Sequence, residues 1–213
     1  MDKCQKLEIS MRYWLLGRIN QEPEYANTLA AMDFARQHHT GVRKDGVTPE
    51  FYHQLGIMHY LRTMEMHLDF PAATLSAAAL HDIHEDYNIS LELIRSRFGE
   101  DVARAVFLLS KIRDGQKIDA AAYFRGIAMD RIASVVKGAD RINNLQSMLG
   151  VFSDKKQIEY VDEAKTYFVP MLKAARRQFY TQEPVYENIK LMMNSQMELF
   201  SAIFQARTGK SAN

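Results

Sequence analysis

The chain has 213 residues, 47% of them hydrophobic, and its 27 lysines and arginines against 26 aspartates and glutamates leave a net charge of +1. That length can bury a substantial core in one domain or two small ones, while the charge balance excludes the global basic field that nonspecific nucleic-acid binding requires. The single cysteine, Cys4, excludes an intrachain disulfide framework and a Cys-rich zinc site, and the absence of a signal-like start or of a run of about 18 apolar residues makes a cytoplasmic protein off the membrane the expectation.

Residues 1–24 read as a helical N-terminal extension. In "YANTLAAMDFARQHH", Tyr25, Leu29, Met32 and Ala35 share one stripe at steps of three and four, the mark of a partly buried helix. "EFYHQLGIMHYLRTMEMHL" repeats the pattern through His53, Ile57, Leu61, Met64 and Leu68, which sets His53 on the apolar face near the helix start. "PAATLSAAALHDIHEDY" reads as one central helix: Pro71 opens it where a missing N–H costs nothing, and its alanines let neighbours approach closely. Ser90 is placed to cap "LELIRSRF", Gly99 to end it, and Asp101 to complement the dipole of "DVARAVFLLSKI". "DRIASVVKGADRINNLQSML", "VDEAKTYFVPMLKAARRQFY" and "ENIKLMMNSQMELFSAIFQA" complete the set. The best strand signal, "IASVV", fits a helical stripe through Ile132, Val136, Ala139 and Asn143 equally well. "HTGVRKDGVTPE" and "SKIRDGQKID" have loop compositions. The fold class expected is all-α, one compact domain over residues 25–195, with 196–213 as a helix end and tail. The Met-rich final helix suits either the core or a second subunit, and the core is the expectation.

One hexapeptide does not fit a buried helix. In "HDIHED", His81 and Glu85 share a helical face, as do Asp82 and Asp86. It reads either as an exposed helix end with solvated charges or as a cation site, since carboxylates this close repel one another and resist burial unless a metal ion sits among them. His53 on its apolar face and Asp140 after a buried-looking run favour the second reading.

The ordered pattern "RKDG…H…HDIHED…ADRINNL" resembles the HD-domain phosphohydrolases, and specifically the hydrolase half of the RelA/SpoT family, over roughly residues 25–172. The resemblance implies that His53, His81, Asp82 and Asp140 hold one divalent ion, most simply Mn²⁺, a choice that two imidazoles and two carboxylates without a thiolate also suit. It implies that Glu85 or Asp86 positions a water or carries its proton, with Glu85 preferred because it shares the His81 face. Arg43 would stack on a purine and Lys44 meet phosphate, and Asn144 and Ser147, one and two turns beyond Asp140, would contact the same ligand. Lys137 shares that face and suits either pyrophosphate or an outward-reaching surface position. His38, His39, His59, His67 and His84 are read as structural or surface residues, and Arg141 as an ion-pair partner. Gln54 replaces the proline that commonly follows the first metal histidine, "HTG" replaces a Gly-Gln step, and the spacing from Arg43 to His53 is about one residue longer than the pattern. Too little chain follows residue 195 for a nucleotide-transferring synthetase domain, so the resemblance implies a stand-alone hydrolase that removes pyrophosphate from (p)ppGpp or its adenine counterpart. The alternatives are an HD phosphohydrolase of another nucleotide and a catalytically silent alarmone-binding module.

Overall fold

A computed structural model describes residues 1–113 and 115–209, so residue 114 of the second expected loop and residues 210–213 of the tail lie outside the described residues. Twelve α-helices run through the described residues, and the expected all-α class holds. None of these helices is long and apolar enough to cross a membrane.

The organising element is α9 (Arg131–Met148). Asp130 caps it by accepting from the amides of Ile132 and Ala133 at 2.9 and 2.7 Å. Every residue from Ile132 to Ile142 is buried, "IASVV" included. A helix buried on all sides must be enclosed by others, and α9 touches α3 (Phe51–Arg62), α4 (Pro71–Leu80), α7 (Glu100–Leu109), α8 (Ala120–Ala128), α10 (Asp154–Glu163), α11 (Val169–Gln178) and α12 (Glu183–Thr208). Gly138 permits a close approach, because a Cβ there would stand 2.7 Å from Ile189 Cγ2 and 3.0 Å from Leu172 Cδ2.

α4 is the second central helix, packed against α2 (Tyr25–His38), α3, α7 and α9, with Pro71 in its first turn. α1 (Lys3–Ile19) lies on α2 and α3 and places Met11 and Leu15 in the common core. On α12, Ile189, Met193, Met197 and Phe200 are buried, whereas Leu191 and Leu199 are exposed.

Four sequence expectations need correction, the first being that the helix read from His53 through Leu68 ends at Arg62, with a short 3-10 turn over Glu65–His67 beyond it. The helix expected from Pro71 through Tyr87 stops at Leu80 and resumes as α5 (Ile83–Tyr87), which Asn88 ends in the left-handed region at φ 53°. The reason is local: His81 Nδ1 takes the Ala78 carbonyl at 2.9 Å, an oxygen that a continuing helix offers to the residue four positions on. The helix expected through Ile112 ends at Leu109, and the next residues form a two-strand antiparallel hairpin, β1 (Ile112–Arg113) with β2 (Gln116–Lys117). The helix expected from residue 161 to 180 is α10, then a π-helical turn over Ala164–Phe168, then α11. Pro170 explains it, since it donates no backbone hydrogen bond and its ring pushes away the preceding turn. The other caps match expectation: Ser90 accepts from the Leu93 amide at 3.2 Å to open α6 (Leu91–Phe98), and Gly99 ends it at φ 92°.

Gly138→Val tests the close packing. The branched side chain meets Ile189 and Leu172 on two neighbouring helices, so the protein is expected to lose about 1–3 kcal/mol of stability, read as a lower urea midpoint. An unchanged or higher midpoint contradicts the packing.

Candidate metal centre and phosphate cleft

Three helix segments bring the charged residues together. His53 comes from the first turn of α3, His81 and Asp82 from the break between α4 and α5, and Asp140 from the middle of α9. His53, His81 and Asp140 are 2–6% exposed and Asp82 is half-buried. His53 Nε2 lies 3.2 Å from Asp140 Oδ1 and 3.9 Å from Asp82 Oδ2, while His81 Nε2 lies 2.9 Å from Asp82 Oδ2 and 3.9 Å from Asp140 Oδ1. Ligand atoms of His53, His81 and Asp82 all fall within 4.8 Å of one another. Asp140 stands outside that mutual set yet reaches both imidazoles.

This arrangement suits a cation better than it suits a proton. Despite its 2.9 Å approach to Asp82, the buried His81 Nε2 has no aligned hydrogen bond. Each imidazole is oriented from behind: Ala78 O accepts from His81 Nδ1 and, at 2.7 Å, Asn143 Oδ1 accepts from His53 Nδ1, a tautomer assigned from the network. When both rings are neutral, their Nε2 lone pairs turn to the shared point. Ligand atoms about 2.1 Å from one centre stand about 3.0–3.4 Å apart, and the four imidazole-to-carboxylate distances of 2.9–3.9 Å bracket that separation. Asn143 escaped sequence reasoning, although its place three residues beyond Asp140 puts it on the same helix side. Gly56 makes room for it, because a Cβ there would lie 2.6 Å from Asn143 Nδ2.

The charges show the strain of the site without a cation. Burial opposes the imidazolium of His81, yet Asp82 and Asp140 push its pKa up to about 9. Burial likewise opposes ionisation of Asp140, but Lys137 and the two imidazoles hold its carboxyl well below the usual range. Lys137 is buried and bonded to Asp140 Oδ2 at 3.0 Å, so it is not an outward-reaching surface lysine. Burial, then Asp82, Glu85 and Glu50, raise the Asp86 carboxyl to about 6.

A cleft of about 210 Å³ opens over the cluster, and Arg43, Glu85, Lys111, Asn144 and Tyr160 help to line it. Glu85 faces this cleft, with Oε2 accepting from the Lys111 amide at 2.7 Å. Arg43 projects from a loop tied by Asp45, which accepts from the amides of Val47 and Thr48. Its Nη2 reaches Asn144 Oδ1 at 3.1 Å and Ser147 Oγ at 3.3 Å, and Asn144 Nδ2 donates to Asp140 Oδ1 at 2.6 Å. Lys44 does not line the cleft: its ammonium lies 5.0 Å over the Phe152 ring. Arg141 pairs with Glu163 and lies over Tyr160 and Phe168. His39 is buried beside the centre, 3.9 Å from Glu50, and burial, reinforced by His81, lowers it to about 4. A larger groove of about 430 Å³ beside α12 carries no such cluster.

The HD domain family matches residues 31–178. The chain is similar to the guanosine-3′,5′-bis(diphosphate) 3′-pyrophosphohydrolase of Aquifex aeolicus, 29% identical over 170 residues that cover 77% of this chain and 24% of that protein. A probable enzyme of the same name from Synechocystis is 32% identical over 149 residues, covering 66% of this chain and 19% of that one. The chain therefore spans about a quarter or less of the length of these curated relatives. A solved structure, described as a metazoan ortholog of SpoT that hydrolyzes ppGpp, superposes with a TM-score of 0.56 at 21% identity over 77% of this chain and 93% of that one. That likeness shows the fold.

The raised Asp86 carboxyl predicts a pH signature in metal-free protein. Ionised Asp86 is disfavoured by folding, so its cost is absent below the unfolded value of 3.8 and fully present once pH passes about 6. Asp86→Asn is expected to raise the thermal midpoint at pH 7.5 and to leave it nearly unchanged at pH 3.5. Equal effects at both values contradict the assignment.

Proposed function

The chain belongs to the HD domain family, and from that premise we propose that it is a divalent-metal-dependent hydrolase that removes pyrophosphate from the 3′ position of purine nucleotides of the guanosine-3′,5′-bis(diphosphate) kind. The carrying observation is the convergence of His53, His81, Asp82 and Asp140 beneath a cleft that Arg43, Asn144 and Glu85 help to line. His53, His81, Asp82 and Asp140 hold the ion, and manganese suits two imidazoles and two carboxylates. When bound, the ion acidifies a water and polarises a phosphoryl oxygen.

The remaining work falls to the chain's own residues. Glu85, fixed by the Lys111 amide, orients the attacking water and takes its proton. Asp86, with its carboxyl raised to about 6, is ionised around neutral pH and accepts a proton close to the centre more readily than an ordinary carboxylate. Water oxygen joins the phosphorus next to the ribose 3′-oxygen, the P–O3′ bond breaks, a proton returns to O3′, and pyrophosphate departs. Arg43, held flat by Asn144 and Ser147, stacks on the purine, and Asn144 ties that group to the metal ligand Asp140. Lys44 meets phosphate only by leaving Phe152. The cleft volume lies below the about 300–1,000 Å³ of sites that engulf a small molecule, which fits a pocket taking the phosphate end while the base rests on the rim. The resemblance to pyrophosphohydrolases supports ppGpp first and leaves ppApp as the second substrate.

The test is pyrophosphate release from ppGpp and ppApp by purified protein with Mn²⁺, with 5′-triphosphates and monophosphates as controls. Release from at least one 3′-diphosphate and none from the controls is expected; no release from either, with metal bound, overturns the proposal. In the same preparation Mn²⁺ at 100 times its Kd should stabilise the protein by about 2.7 kcal/mol, and His81→Ala should abolish both effects. Asn143→Ala, which frees the His53 ring, should weaken Mn²⁺ binding about 10–100-fold.

A further inference from the structure

The cations around the cleft are not equally engaged. Lys137 is bonded to Asp140 at 3.0 Å, Arg141 is paired with Glu163, Lys44 sits over Phe152, and Arg43 bonds the neutral Asn144 and Ser147. Lys111 is engaged most loosely: its ammonium lies 6.0 Å from the centre of the Tyr123 ring and has no acid within hydrogen-bond reach. Its backbone is clamped, since the amide donates to Glu85 at 2.7 Å and the carbonyl accepts from the Ile118 amide at 3.0 Å. From that fixed base at the foot of the hairpin its half-buried side chain enters the cleft. The nearest acid to its ammonium is Glu163 Oε1 at 3.9 Å, beyond hydrogen-bond reach, and the other oxygen of Glu163 is taken by Arg141.

We propose that Lys111 is a substrate-binding residue whose ammonium grips the 3′-diphosphate, the group that leaves, and not the 5′-phosphates. This rests on the hydrolase reading above and specifies its phosphate contact. The placement follows from position: Lys111 hangs from Glu85, the residue facing the attacked phosphorus, and its electrostatic neighbours include Lys137 and Asp140 of the metal centre. Burial, followed by repulsion from Lys137, lowers the pKa of the ammonium. That is the condition of a cation short of counter-charge, and an anionic phosphoryl oxygen relieves it. Sequence reasoning passed over this residue because "SKIRDGQKID" has the composition of a plain loop.

The experiment compares wild type, Lys111→Ala, Lys111→Met, which keeps the aliphatic stem, and Lys111→Arg, which keeps the charge. Inorganic pyrophosphate binding is measured by calorimetry with Mn²⁺ present, so the test does not depend on turnover. Both neutral variants are expected to bind pyrophosphate about 10²-fold more weakly, with Mn²⁺-induced thermal stabilisation unchanged, and Lys111→Arg is expected to recover most of the loss. In turnover, the neutral variants should lose the same factor in kcat/KM on ppGpp and on guanosine 3′-diphosphate, which lacks 5′-phosphates. A loss confined to ppGpp overturns the inference by placing Lys111 at the 5′ end, and so does unchanged pyrophosphate binding in Lys111→Met. Wild-type protein that binds pyrophosphate through Lys111 but hydrolyses neither nucleotide retires the hydrolase reading alone.

Discussion

Two imidazoles and two carboxylates, three of the four residues buried, meet with each imidazole 2.9–3.9 Å from the carboxylates, and the rest of the structure can be read as what makes that tolerable. Removing an ionised group from water costs several kcal/mol unless it is paired. Here the pairing without a cation is makeshift: His81 is forced toward a protonated state, and Lys137 is drawn into the interior beside Asp140. One doubly charged ion held among the four groups would answer both demands, because it would require no proton on either ring. The backward bonds of the two rings, to Ala78 O and Asn143 Oδ1, hold their lone pairs on one point in advance.

α9 joins core and chemistry. Its first half is wrapped by apolar neighbours closely enough that Gly138 has no room for a side chain, and only two residues later Asp140 meets the imidazoles. The next turn carries Asn143 toward His53 and Asn144 toward Arg43. A rigid, fully enclosed helix is therefore the reference against which Asp140, the Asn143 amide behind His53 and Arg43 are all positioned. Precision of this kind is needed where reacting groups must be held to a fraction of an ångström. The hairpin after α7 adds a second reference, because one backbone amide fixes Glu85 and begins Lys111.

Much of this was readable in order along the chain. Apolar stripes at steps of three and four marked most of the helices, and caps at Ser90 and Gly99 fell where their chemistry required. His53, Asp82 and Asp140 stood out as charged or titratable groups where burial was expected. What escaped depended on competition between side chain and backbone. His81 interrupts its own helix by taking a backbone carbonyl, and Pro170 converts a turn to π geometry. Periodicity registers neither event. Lys44 was read with Arg43 as a pair, yet Arg43 points into the cleft and Lys44 onto Phe152. Arg43 opens a turn that its carbonyl closes with the Gly46 amide at 2.8 Å, and Lys44 sits inside that turn, so the two side chains part and spacing does not say which is inward.

The amino-acid order by itself determined that the chain is helical and which residue types could ligate a hard or borderline ion, because residue type and helical phase are local properties. Tertiary structure alone decided that Asn143 rather than a carboxylate orients His53, that Lys137 is spent on Asp140, and that Lys111 faces the cleft with no close acid. Those outcomes depend on which helices are neighbours and how closely they pack, and that information is held in contacts between residues as far as 90 positions apart.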